Sequence, residues 1–135
     1  MIRIELSLRL ANSPGALGGV CRLLSDERVN VQAMGMEASG QLRLIVDNHV
    51  HAAAVLRDHH HQVTERNVIV TAVPNAPGAL AVPNAPGALA PALRLISDAS
   101  VNVEYAYGGA AEGSPTATIV LGVEDAERAS AAAGV

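Results

Sequence analysis

The sequence predicts an α+β chain built from two βαββαβ units in tandem, each an antiparallel sheet with helices on one face. Three observations predict it. Short segments recur at a single offset: Asn12-Ser-Pro-Gly-Ala-Leu17 returns as Asn84-Ala-Pro-Gly-Ala-Leu89, Arg22-Leu-Leu-Ser-Asp26 as Arg94-Leu-Ile-Ser-Asp98, and Val29-Asn-Val31 as Val101-Asn-Val103. Within each half, alternating and helical periodicities follow one another in the same order. Half of the 135 residues are apolar, enough for a packed core. The repeat sets the boundary near Asn67, with one unit over 1–66 and a second over 67–135.

The elements follow in order. Ile2, Ile4, Leu6, Leu8 and Leu10 alternate with Arg3, Glu5, Ser7 and Arg9, the pattern of a half-buried strand. Asn12-Ser-Pro-Gly15 is a turn with helix-start chemistry. Leu17, Val20, Cys21 and Leu24 then share one helical face, and residues 25–28 end that helix. Residues 29–36 read as a second strand, Ser39-Gly40 as a hairpin turn and 42–46 as a third strand. Asp47-Asn48 caps a second helix running to about residue 60, and 63–65 form a short fourth strand.

The second half gives strands at 68–73, 101–107 and 116–122, with helices at 87–98 and 124–133. Leu89, Ala92, Leu93 and Ile96 repeat the first helical stripe, and Pro91 falls in the first turn, where no intrahelical N–H partner is lost. This is the ferredoxin-like plan, twice. After its last helix the second half reaches Gly134-Val135 with its final strand missing. The expected consequence is an unpaired sheet edge that another chain or a swapped strand covers.

A second repetition is of another kind. Residues 73–81 are followed at once by an identical 82–90. The halves have drifted and these copies have not, so the doubling reads as a recent in-frame duplication or an artefact. It is too short to fold as a third unit.

Composition narrows the function. There is no Phe or Trp, every basic residue is Arg, and the formal net charge is −4, which argues against a nucleic-acid partner. No apolar run approaches a membrane span. Cys21 is alone, so no internal disulfide is expected, and a reducing cytoplasm is the natural compartment.

Two features together resemble the ACT domain family: Asn-x-Pro-Gly-x-Leu between first strand and helix, and Val-Asn-Val opening the second strand. The resemblance spans nearly the whole chain, once in each half, with Asn12 to Asn30 spaced as Asn84 to Asn102. It implies a non-catalytic regulatory protein that binds a free amino acid at the interface between ACT-like units. The residues it implicates are Asn12, Ser13, Pro14, Gly15, Ala16, Leu17, Asn30 and Gln32 in the first half. In the second they are Asn84, Ala85, Pro86, Gly87, Ala88, Leu89, Asn102 and Glu104. The chemistry suits a zwitterion. Glycine lets a ligand approach the backbone, a helix start favours a carboxylate, and asparagine offers both donor and acceptor.

Members of this family that bind serine commonly carry a histidine two residues before the loop asparagine. Leu10 and Val82 stand there, which points to an apolar or aromatic ligand side chain. The doubled segment makes Asn75-Ala-Pro-Gly78 compete with Asn84-Ala-Pro-Gly87. The second copy is favoured, because it leads directly into the helix. A homodimer and a separate metabolic enzyme chain are the implied protein partners. The alternative is an ACT-like oligomerisation module with no ligand, in which the same residues serve as turn, cap and strand edge.

Other chemistries find less support. On one helix His49 and His60 would lie roughly 16 Å apart, too far to share an ion, and the adjacent His59, His60 and His61 splay in different directions. No nucleophile constellation is recognisable, and Gly108-Gly109 falls in a hairpin, not before a phosphate-binding helix. No enzyme activity, cofactor or metal is expected.

Overall fold

In the computed structural model the alternation of the first residues becomes strand β1, Ile2–Arg9. The structure describes residues 1–75 and 89–135, and among these are six strands and four helices. They fall into two compact units, Ile4–Arg66 and Asn67–Val135, the latter with Met1–Arg3. The α+β tandem plan is as expected.

In the N-terminal unit, β1 is followed by α1 (Ala16–Asp26), β2 (Val31–Met36), β3 (Gln41–Val46) and α2 (His49–Asp58). The strand order is β2-β3-β1, antiparallel, with Leu6 opposite Leu44 and Arg9 opposite Gln41. Leu6, Leu8 and Leu10 pack with Val20 and Leu24 of α1, Leu42 and Leu44 of β3, and Ala52 and Leu56 of α2. Each such leucine, once buried, contributes about 1.5–3 kcal/mol. The opposite face of β1 is less exposed than alternation alone predicts. Glu5 is fully buried, with Arg43 of β3 at 3.9 Å and 18 % exposed, so a cross-strand cation sits beside the carboxylate.

Helix ends are built alike. In all four a left-handed residue follows the last turn: Arg28 (φ 58°), His60 (φ 68°), Ser100 (φ 58°) and Gly134 (φ 70°). The next N–H reaches back five residues, as in Val29 to the Leu24 carbonyl at 2.9 Å and Val101 to that of Ile96 at 3.2 Å. Leu24 and Val29, like Ile96 and Val101, are buried and close the motif with an apolar contact.

The C-terminal unit holds β4 (Thr64–Pro74, from Asn67 on), α3 (Leu89–Asp98), β5 (Val103–Gly109), β6 (Thr116–Val123) and α4 (Ala126–Ala133). Its order is β4-β6-β5, with Ile69 opposite Leu121 and Tyr107 opposite Val120. Ile69, Ile96, Leu121, Val123 and Ala129 form its core. On the other face Tyr105 lies over Gly122, where a Cβ would stand 2.1 Å from the ring, and stacks on Tyr107 with centroids 6.4 Å apart.

Two expectations are corrected. The strands expected at 63–65 and 68–73 are one continuous strand, β4. Between Thr64 and Val73 there is no glycine or proline to break it. The flank of β4 expected to stay unpaired also meets a partner within the chain. The Met1 ammonium group donates to the Val70 carbonyl at 3.1 Å, the Met1 carbonyl accepts from the Val70 N–H at 2.8 Å, and Ile2 packs on the C-terminal core. Thus β1 lends its first residues to the second unit, and Thr64–Arg66 of β4 belong to the first. No helix among the described residues is long and apolar enough to cross a membrane.

Candidate functional site

The segment between β1 and α1 is held at its base and open at its tip. Leu10 is 5 % exposed, and its N–H donates to the Gly40 carbonyl at 2.8 Å, tying the loop to the β2–β3 turn. Asn12, Ser13, Pro14 and Gly15 are then all exposed. Ala16 and Leu17 are half-buried and pack against the N-terminal core, so the helix start is anchored from beneath.

Gly15 is the N-cap of α1, at φ 82° and ψ −2°, and no side chain caps this helix. Asn12 and Ser13, good capping residues by type, do not take that role. In α2, by contrast, Asn48 Oδ1 accepts from the His51 N–H at 3.1 Å, and in α4 Asp125 Oδ1 accepts from Arg128 at 3.0 Å. A side chain added at Gly15, Gly18 or Gly19 would meet nothing within 4 Å. The start of α1 is therefore accessible, with an unscreened positive dipole end and open backbone, suited to a carboxylate.

The second-strand asparagines are held through their backbones. Asn30 N–H donates to Asp47 Oδ1 at 3.0 Å, and its carbonyl accepts from Asp47 N–H at 3.1 Å. Asn102 and Glu124 repeat the clip at 3.0 and 3.2 Å. Both carboxamides stand on exposed residues. Just beyond each lies a β-bulge, between Val31 and Ala33 in β2 and between Val103 and Tyr105 in β5. The bulged residues are Gln32 and Glu104, both exposed. Nothing in the local sequence announces these bulges, although their recurrence at the same repeat position is a signal in hindsight.

Register decides which residues meet. Val31 pairs with Val46, whereas Arg9 pairs with Gln41. These levels are five residues apart on β3, roughly 16 Å, so Asn30 and the loop after Arg9 stand at opposite ends of one sheet. Within one unit the structure does not bring Asn12 and Asn30 together. In the C-terminal unit Asn102 adjoins Val103, opposite Val123, while β4 ends opposite Thr116. Asn102 and the end of β4 thus stand at opposite ends of that sheet.

Asn84, Ala85, Pro86, Gly87 and Ala88 lie outside the described residues, while Leu89 opens α3 half-buried against the C-terminal core. Asn75 of the first nonapeptide copy is engaged elsewhere. Its Nδ2 donates to the Ser114 carbonyl at 2.9 Å and its N–H to the Pro115 carbonyl at 3.0 Å. Leu10, at the position of the family's histidine, is a core residue. Among the histidines, His59 Nδ1 donates to the Val55 carbonyl at 3.0 Å, and His51 Nε2 lies 3.3 Å from Glu27.

A scan against family models finds no match, and neither does a search of the curated proteins. Solved structures do match. The chain is 30 % identical to protein BT0572 from Bacteroides thetaiotaomicron, over 96 % of this chain and 84 % of that one, with a TM-score of 0.79. It is also similar to the ligand-free regulatory subunit of aspartate kinase from Thermus thermophilus, at 15 % identity over 99 % of this chain and 92 % of that one, with a TM-score of 0.64. The corresponding subunit from Thermus flavus gives 16 % identity, 99 % and 94 % coverage and a TM-score of 0.64. These last two likenesses are of fold. The chain is thus a relative of protein BT0572, it shares its α+β fold with the two regulatory subunits, and its doubled loop-and-strand signature resembles that of the ACT domain family.

Proposed function

We propose that the chain is a non-catalytic regulatory protein of the cytoplasm that binds a free amino acid and modulates a separate metabolic enzyme. One observation carries this reading: the glycine-capped start of α1 is exposed and has no side-chain cap, unlike α2 and α4. The ligand carboxylate sits against the first-turn N–H groups, with Asn12 beside it. Asn30 stands at the far end of its own sheet, so the residue completing the pocket comes from a second copy of the chain. Binding then favours dimerisation, and the coupling to a partner is on the order of 1–3 kcal/mol. The fold it shares with regulatory subunits of aspartate kinase supports a regulatory role.

A thermal-shift screen of the full chain against the twenty amino acids tests this. One amino acid should raise the melting temperature, and Asn12→Ala or Asn30→Ala should abolish the rise. A flat panel would refute it. A second reading, a ligand-free association module, is favoured by Met34 and Met36 of β2, which are 44 % and 48 % exposed. In that case Met34→Lys with Met36→Lys yields monomers while every amino acid remains without effect.

A further inference from the structure

The N-terminal unit carries a second recess, lined by residues other than those at the start of α1. Ser7 and Arg9 alternate with leucines that pack under the helices, so they face the opposite side. At the end of β1 and the start of β3, a cleft of about 450 Å³ is lined by Arg9, Gln41, His60, His61, Gln62 and Thr64, with Ser7 and the core residue Leu8. That volume fits a small metabolite, larger than a simple ion.

The chemistry of the lining is one-sided. It combines a guanidinium, two imidazoles, two carboxamides and hydroxyl groups, with no carboxylate, in a chain whose formal net charge is −4. Its donor groups are held in place. Arg9 Nη1 donates to the Ser39 carbonyl at 3.1 Å, which fixes the guanidinium plane. The turn bearing the imidazoles is pinned by the His60 N–H on the Arg57 carbonyl and the His61 N–H on that of Leu56, both at 3.0 Å. His60, at φ 68°, is the left-handed residue that ends α2, as Arg28, Ser100 and Gly134 end the other helices.

From this arrangement we infer that the cleft binds a small phosphate monoester, independently of the amino-acid site. The guanidinium offers a planar fork to phosphate oxygens, and the imidazoles supply further N–H donors. A dianion makes use of this many donors, whereas a single carboxylate needs only the arginine. The carboxamides and hydroxyls match a polar, hydroxylated body on the ester.

The test is a titration of the full chain with glycerol 3-phosphate, followed by calorimetry and by the His60 and His61 imidazole resonances. Saturable binding is expected, with inorganic phosphate weaker and glycerol or acetate inert. Arg9→Gln should weaken affinity about tenfold or more, and so should His61→Gln. His60→Asn, which tolerates the left-handed backbone, should do the same. Asn12→Ala should leave phosphate-ester binding unchanged, which separates this site from the amino-acid reading. Absence of saturable binding overturns the proposal. So does equal binding by acetate, or wild-type affinity in a folded Arg9→Gln or His61→Gln protein.

Discussion

Replacing Gly40 with alanine probes the tether that holds the α1 loop. The residue sits at φ 92°, and a Cβ there would lie 2.4 Å from the Leu10 carbonyl oxygen, far inside contact distance. An L side chain at positive φ costs about 1–2 kcal/mol. Relieving the clash must move backbone against backbone, which loosens the 2.8 Å bond from Leu10 N–H to the Gly40 carbonyl. That adds about 1 kcal/mol. Leu10 is a core residue, and partial withdrawal of its side chain adds about 1 kcal/mol more. The stiffer unfolded chain returns about 0.4–1 kcal/mol. The net loss is about 2–3.6 kcal/mol, read as a lower urea midpoint at unchanged slope.

Gly18→Ala supplies the opposite sign. It lies inside α1 with nothing within 4 Å of the new Cβ, and should gain about 0.5–1 kcal/mol. A Gly40→Ala protein within about 0.5 kcal/mol of wild type would refute the tether argument. So would a destabilised Gly18→Ala.

Further outcomes are open to the same denaturation assay. Asn48→Ala removes the side-chain cap of α2 and should cost about 1 kcal/mol. Arg28→Gly relieves a left-handed arginine, and after the entropy of the unfolded chain is counted it should stabilise by up to about 1 kcal/mol. Ile2→Asp places a carboxylate against the C-terminal core and should cost about 2–3 kcal/mol. Amide exchange should then accelerate at Ile69 and Leu121 before it does so at Leu6 and Leu44.

Much of the fold is legible because local chemistry agrees with it. Ile4 through Leu10 alternate, the stripes at Leu17–Leu24 and Leu89–Ile96 repeat, and Asn48 caps as its type suggests. What escaped the sequence depends on pairing between distant residues. The placement of Met1–Arg3 beside Val70 is a matter of sheet order. Glu5 is buried because Arg43 lies diagonally across from it on β3. The separation of Asn12 from Asn30 follows from the β3 register, since equal spacing in two repeats carries no information about which sheet end each occupies. The Gln32 and Glu104 bulges are likewise events of pairing, invisible in composition.

The loan of the first three residues to the later half bears on how the protein is made. Met1 pairs with Val70, 69 residues further on, so it must wait for that later stretch to leave the ribosome before its partner exists. The earlier half can meanwhile assemble around Leu6, Leu24 and Leu42 without them. Cutting the gene at the repeat boundary would not yield two equal products. The fragment from Asn67 onward would carry a bare flank on β4, open to any strand in solution, and a short peptide bearing Ile2 should restore it in trans.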